Sequence, residues 1–500
     1  MNAEILIAVI IYEIVTIMGV GLFLSVRSKR VTAKDSFALA GRGLNTTHVA
    51  ITLAFTMLGA AHIWGTTENA YGIGGMAVWF GIACAVMLVV ITQCTGPWIR
   101  KIGTPTVPDM LGKLYGGKMR LLIACVMAPL VFGILCLETQ AIAVTFVALT
   151  GWDFVAGAIV GGIFGTLYVL LAGMKEVAWL NIINVIVIYA SMIIALIALF
   201  YYLPQGWEGV EADLVDSGNG WMTSIFGNGD IIVGFAIPTI LCCTLFQGIS
   251  QMGLQTAIAA KDAKTVKKSI WLATPINGMF CVIPALIGMA AFVMDTKGLL
   301  TPDGSVIGAL FASPMLIVQL LPPWIVTLLL AGFLGAVLST FAMTSLCPAT
   351  IFAHDLYGGL FKPNATEKEK TLVMRIVIVI VGAIAVMMCN FQPQIVASIN
   401  WIFTWAFPMF VMAVIGLFWK RSVPAAFITM FAAWVGNMVW TTFGLQAYLG
   451  AETVHGAYIA IIISLLVGIV LTAILPGKKG LFREMREEKD PAAKPSESLG

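Results

Sequence analysis

Thirteen long apolar runs separated by short polar segments set the pattern of this chain. They cover residues 4–26, 47–70, 75–98, 119–149, 154–173, 178–203, 231–252, 269–294, 322–352, 371–390, 395–418, 422–443 and 457–475. A membrane-crossing helix needs about 20 apolar residues, so each run is predicted to be one transmembrane span, one to thirteen in chain order. A β-barrel would instead show segments of about ten residues with alternating polarity. Residues 204–230 carry Glu208, Glu211, Asp213, Asp216 and Asp230 without a Lys or Arg, and 295–321 are predicted to add a short surface helix. The tail from Gly477 is charged and ends in Pro, Ser and Gly, so 477–500 are expected to be disordered. Residues 1–476 read as a single transmembrane domain with no soluble domain attached.

Composition agrees. Hydrophobic residues make up 60% of the 500 residues, charged residues 11%, and mean hydropathy is +0.97. Soluble domains carry about 25% charge, so a soluble enzyme is excluded. The net charge of +3 matters less than its placement. Basic residues cluster after spans one (Arg27, Lys29, Arg30, Lys34, Arg42), three (Arg100, Lys101, Lys113, Lys118, Arg120), five (Lys175), seven (Lys261, Lys264, Lys267, Lys268), nine (Lys362, Lys368, Lys370) and eleven (Lys420, Arg421), and from Lys478 to Lys494. With thirteen spans all of these lie on one side, and of 28 Lys and Arg only Lys297 lies on the other. The positive-inside rule then predicts an outside N-terminus and a cytoplasmic C-terminus. The basic loops read as topology signals, not as nucleic-acid or lipid sites. The nine cysteines sit in or beside apolar runs without metal spacing, and read as packing residues rather than a disulfide or zinc framework. No cleavable signal peptide is expected, because the first run lacks a basic leader and contains Glu4 and Glu13.

In a membrane protein, function concentrates where apolar uniformity fails. Span two holds small and polar residues at mid-length, from Thr52 through Thr56, Gly59 and His62 to Gly65. Span seven holds Gly234, Pro238, Thr244 and Gln247. The two are five spans apart and would open two five-helix halves, 47–203 and 231–418, flanked by 4–26, 422–443 and 457–475. Broken helices at matching positions point to a transport site, although Gly and Pro are common in any transmembrane helix. In span nine, Ser339 and Thr340 put two hydroxyls near the carbonyl of Ala336, oxygen donors of the kind a small hard cation takes; hydroxyls that merely bond back to their own helix would read the same. Glu138 is a mid-span carboxylate, costing about 2.5–3.5 kcal/mol on insertion scales, and should face a cation, a polar interior or a partner such as His62. Glu13 carries less weight in span one, which reads as peripheral, and Glu68 sits near a span end. Trp401 and Trp405, one turn apart, read as packing or interface anchors, with a pocket wall as the alternative. No hydrolase, zincin or phosphate-loop motif occurs, and His48, His62, His354 and His455 are scattered. Neither an enzyme nor an ATP-driven pump is expected.

These residues resemble the sodium:solute symporter family over most of the chain. The likeness is carried by Gly41-Arg42-Gly43-Leu44, by Thr106-Val107-Pro108-Asp109-Met110-Leu111, by the stretch from Tyr168 to Trp179 with Ala172 where a glycine is usual, and by Gln255 with Ala259-Ala260-Lys261-Asp262. Ala336-Val337-Leu338-Ser339-Thr340 followed by Asp355-Leu356-Tyr357, and Gly416-Leu417-Phe418-Trp419-Lys420-Arg421, complete it. The resemblance implies a LeuT-type fold of two inverted five-helix repeats plus three flanking helices, and uptake by alternating access. It implies a sodium site made by the carbonyls of Phe55, Leu58 and Ala336 with the hydroxyls of Ser339 and Thr340. His62 falls where sugar-transporting relatives place a substrate-contacting side chain. Departures are Asn181, where many relatives have aspartate, Thr256 and Leu114, where arginines are usual. The first bears on the choice of sodium over proton.

The expected function is sodium-coupled symport of a small polar organic solute across the cell membrane, with solute contacts from His62, Glu138, Gln251 and Trp401. A proton-coupled symporter, with Glu138 or His62 titrating, and a channel or nutrient sensor on the same scaffold are the alternatives. The lipid bilayer and the solute are the expected partners. Neither nucleic acid nor a protein partner is expected.

Overall fold

The structure, a computed structural model, describes residues 3–27, 36–171, 174–391, 393–451 and 453–489. Lys29, Arg30, Lys34, Ala172 and Lys494 lie outside the described residues. Every predicted span folds as a helix or a broken pair of helices, since lipid offers no partner to an unpaired backbone group. In chain order these are α1 (Ala3–Arg27), α2 (Thr46–Thr56), α3 (61–73), α4 (74–102), α5 (Gly117–Thr150), α6 (Phe154–Leu171), α7 (Met174–Tyr202), α8 (Gly229–Gln247), α9 (Gln251–Ala259), α10 (Ile270–Gly278), α11 (Val282–Thr296), α12 (Pro323–Phe361), α13 (Glu367–Phe391), α14 (Ile395–Thr404), α15 (Phe407–Phe418), α16 (Val423–Thr442) and α17 (Gly456–Ile474). Among the described residues, nine helices are long and apolar enough to cross a membrane, or ten when α14 and α15, bent by 40°, count as one. The acidic loop forms a helix the sequence pattern did not predict, Gly206–Asp216, and the expected surface helix is Ala309–Leu320.

The helices pack with an internal likeness. The half-helix α2 lies on α7, the last helix of its half, as α8 lies on α14. At the centre α12 crosses α5, and every residue of α12 from Leu329 to Ile351 is buried. Gly332 and Gly335 admit α7 to its surface: a Cβ on them would stand 3.0 Å from the Ile188 Cα and 3.0 Å from the Asn184 Cγ. The peripheral helix α1 packs on α12, α7 and α5.

The basic segments meet at one end. Leu44 pairs with the strand-like turn after α9, donating to Ala259 O at 3.1 Å and accepting from Lys261 N at 3.1 Å. Arg100 donates to the Ala260 carbonyl at 2.7 Å, and Arg120 bridges Asp355 at 2.6 Å and Asp109 at 3.2 Å. Asp262 caps the next helix through Thr265 N, and that bond holds its carboxyl below the usual range. At the other end Lys297 meets Asp213 of the acidic loop at 2.5 Å.

The tail differs from expectation. Lys478–Lys479 forms a two-residue antiparallel pairing with Lys420–Arg421, and Leu481–Lys489 is a helix, α18. The cause is the Arg421 guanidinium, 8% exposed, which donates to Lys479 O at 2.7 Å and pairs with Glu484. Phe482 stacks edge-on to Phe418, with the Lys101 ammonium 5.0 Å above its ring. Composition suggested disorder because it could not register these long-range partners. Residues 490–500 lie outside the described residues.

Span seven breaks at 248–250. Ser250 caps α9, accepting from Gly253 N at 2.9 Å and donating to Gln247 Oε1 at 2.7 Å. The turn is so tight that a Cβ on Gly253 would lie 2.0 Å from the Gln247 carbonyl oxygen. Gly253→Ala is expected to destabilise by about 1–3 kcal/mol and lower Tm by several degrees. Gly72→Ala, where a Cβ meets nothing within 4 Å, should leave Tm within a degree of wild type; thermal unfolding in detergent checks both.

Candidate functional site

The helix of span two stops at Thr56 and resumes at Ala61. Leu58 N reaches only Phe55 O (2.9 Å), and the chain restarts with a wide turn in which Gly65 N bonds Ala60 O at 2.8 Å. Groups freed by the break find partners on other helices. Asn277 of α10 donates its amide to the Ala54 carbonyl at 2.8 Å. The Glu138 carboxylate of α5 accepts from Ala60 N at 2.9 Å. Gly59 is wedged between α5 and α12: a Cβ there would lie 2.5 Å from Glu138 Oε1 and 2.6 Å from Thr340 Oγ1. Only glycine lets both side chains reach the break.

An interior cavity of ≈ 30 Å³ opens at this point, lined among others by His62, Glu138, Thr340, Gln247, Phe80 and Phe403. Among the described residues no Lys or Arg lines it. Cys84 and Cys243 add sulfur to the wall, with Met57, Met87 and Met252. At roughly 10–15 Å³ per water, the space suits two or three waters or a solute of a few heavy atoms. Polar ties join the surrounding segments. Toward the basic face, Gln255 donates to Ala38 O at 3.0 Å and Thr106 to Asp355 at 3.0 Å. Toward the other, Glu68 accepts from Ile395 N at 3.1 Å and Gln394 donates to Asn69 at 3.0 Å.

Of the solute candidates, His62 and Glu138 face the same cavity but do not pair. His62 Nε2 lies 3.1 Å from Asn277 Oδ1, while Glu138 holds the Ala60 amide. Gln251 sits elsewhere: its amide oxygen accepts from Val107 N at 2.9 Å and its nitrogen donates to Gln255 at 3.2 Å, a tie at the basic face. Trp401, 42% exposed, lines a separate cleft of ≈ 510 Å³ with Gln140, Phe391 and Gln394, and stands edge-on to Trp405. The ion candidates Phe55, Leu58, Ala336, Ser339 and Thr340 are all buried. Thr340 reaches the break, with its hydroxyl 3.4 Å from Ala336 O, whereas Ser339 donates to Asn181 Oδ1 at 2.6 Å. Sequence reasoning missed Asn277, although a polar residue beside Pro275 in an apolar run is the same signal that flagged Glu138. It noted Gln247 only as part of a break, and set aside Cys84 and Cys243 as packing.

Two broken helices that border one interior cavity, inside a bundle of apolar helices, define a membrane carrier rather than an enzyme. The chain belongs to the Sodium:solute symporter family, matched over residues 37–436, and is a multi-pass membrane protein whose activity is sodium-coupled symport. It is 24% identical to the uncharacterized symporter YwcA of Bacillus subtilis (strain 168), over 79% of this chain and 78% of that one. A Na+-coupled sialic acid symporter, solved substrate-bound and outward-open, superposes with a TM-score of 0.79 at 17% identity, over 95% of this chain and 99% of that one. Mhp1, a nucleobase-cation-symport-1 family transporter with bromovinylhydantoin bound, gives 0.56 at 13% identity, over 92% and 100%. The fold is therefore the LeuT-type pair of five-segment inverted repeats.

Glu138→Ala leaves the Ala60 amide buried without an acceptor, which costs about 1–3 kcal/mol. Thermal unfolding should show a lower Tm for Glu138→Ala and recovery of most of the loss in Glu138→Gln, whose amide oxygen still accepts.

Proposed function

We propose that this symporter carries a small polar organic solute into the cell with sodium, by alternating access around the cavity at the span-two break. The observation that carries the reading is the wedge at Gly59, where Glu138 and Thr340 press on one interrupted backbone beside the cavity. Sodium is assigned to the carbonyls of Phe55, Leu58 and Ala336 with the hydroxyls of Ser339 and Thr340. These oxygens come from the break and from α12, so an ion held by both ties the half-helix α2 to α12. The ion thereby favours the conformation that accepts solute, which is how a bound species shifts an equilibrium.

The solute is assigned to His62, Glu138, Gln247 and the Phe80 and Phe403 rings. A carboxylate, no lysine or arginine, and two aromatic faces favour a neutral or ammonium-bearing solute over an anion. The small volume favours one of few heavy atoms. Gln251 is assigned to closing the basic face instead of to solute. Thirteen crossings with the amino terminus outside make that face cytoplasmic. Support comes from the convergence of Leu44, Arg100, Arg120, Ala260 and Arg421 segments at one end, away from the acidic loop.

Replacing Ser339 and Thr340 together by Ala is expected to abolish sodium-stimulated uptake in proteoliposomes, with the protein still folded. Unchanged sodium dependence would overturn the ion assignment. Candidate amines and neutral polar solutes are screened by Tm with and without sodium, since a ligand of the folded state raises it; a response only to anions would overturn the solute class.

A further inference from the structure

The basic loops read, one at a time, as topology signals. The fold gathers two of them into one place. Arg100, at the end of α4, donates to Ala260 O at 2.7 Å and to Lys261 O at 2.9 Å, and Gln93 of the same helix donates to Lys267 O at 3.0 Å. These bonds hold the end of α4 against the segment that follows α9, and a surface cleft of ≈ 460 Å³ lies between the two. Arg100, Lys101, Lys261 and Lys267 line it, with Trp98 and one carboxylate, Asp262. That carboxylate is already engaged in capping the next helix, accepting from Thr265 N at 2.7 Å. Lys101, Lys261 and Lys267 are exposed, and among the described residues none of the three forms a salt bridge.

Four positive charges around one cleft repel one another, and an anion seated among them relieves the repulsion. Phosphate suits the donors, since its oxygens accept from several Arg and Lys groups at once. The setting says which phosphate. The cleft lies at the end of a spanning helix, and Val86 and Val89 of that helix, 39% and 41% exposed, stand within two turns of Gln93. Exposed apolar surface on a spanning helix meets acyl chains. Trp98 stands edge-on to Phe418 at 5.0 Å, and Trp271, 85% exposed, follows Lys267 by one turn. Tryptophans collect at the level of the lipid headgroups. We propose that this cleft binds the phosphate of an anionic membrane lipid, its headgroup among the four cations and an acyl chain along Val89 and Val86. Basic pockets beside spanning helices hold acidic headgroups in this way. The lipid adds a fastening between the end of α4 and the segment after α9, and its binding does not depend on which ion or solute the carrier moves.

Lipid retention tests the site. The purified full chain, stripped of lipid in a neutral detergent, is titrated with dioleoylphosphatidylglycerol or with dioleoylphosphatidylcholine, and native mass spectrometry counts the lipid bound per chain. Wild type is expected to hold one phosphatidylglycerol about tenfold or more tighter than phosphatidylcholine. Lys261→Gln with Lys267→Gln should weaken phosphatidylglycerol about 25-fold, about fivefold for each cation removed, and Lys101→Gln alone about fivefold. Lys118→Gln with Lys368→Gln removes the same charge from the same face but outside the cleft, and should leave retention unchanged. Inorganic phosphate, which has no chains, should not displace the lipid at equal concentration. Tm without lipid confirms that each variant folds, and if the Lys261 and Lys267 pair does not, Lys101→Gln carries the decision. Equal retention of the two lipids by wild type would overturn the site. So would equal weakening by the Lys118 and Lys368 pair, the mark of a diffuse field. Displacement by inorganic phosphate would overturn the lipid as the occupant.

Discussion

The structure depends on how the backbone of span two is satisfied where its helix stops. In lipid a free amide or carbonyl has no water to turn to, so an interrupted helix survives only if neighbours supply the missing partners. Here they are the Asn277 amide on the Ala54 carbonyl and the Glu138 carboxylate on the Ala60 amide. Each comes from a different helix, so the break holds only while α10 and α5 are in place. That makes it responsive: a shift of either helix changes the partners of the interrupted backbone. A cavity edged by such groups is suited to a carrier that must change shape.

The second break is held differently. Ser250 and Gln247 satisfy it from within its own turn, and Gly253 closes it sterically. The two repeats thus share a topology but not a mechanism of support, one long-range and one local. Between them α12 is the fixed reference. It is buried along most of its length and meets α5, α7 and α1, with Gly332 and Gly335 replacing side chains at its α7 surface. Polar groups on two of these partners converge on it: Glu138 of α5 near Thr340, and Asn181 and Asn184 of α7 on Ser339 and Gly335.

The legible part of the fold was large. All thirteen apolar runs fold as helices, nine or ten of the described helices being long and apolar enough to cross a membrane, and the breaks at Gly59 and near Gly248 fell in two runs where small and polar residues gathered. The site was legible only in part. Glu138 and His62 stood out as polar residues in apolar surroundings and do share the cavity; of the options open to Glu138, a His62 partner is not the one taken, since Glu138 holds the Ala60 amide and His62 meets Asn277. Gln251 has the same polar signature, yet its amide serves Val107. Glu13 was discounted by its position in a flanking span yet is buried, since the order of spans along the chain says nothing of which helix face is buried.

The sequence by itself determined the solvent of this protein, the elements it forms and the short roster of side chains that do not belong in lipid. Those follow from composition and periodicity, which act within one segment. Only the tertiary structure decided which of these side chains meet. Pairings such as Ala60 with Glu138, Leu44 with Ala260 and Arg421 with Glu484 join residues tens to hundreds of positions apart. The physical reason is that a helical stripe fixes the direction a residue faces and not the neighbour it finds there. That choice belongs to the packing of whole helices, set by glycine contacts and backbone satisfaction across the bundle.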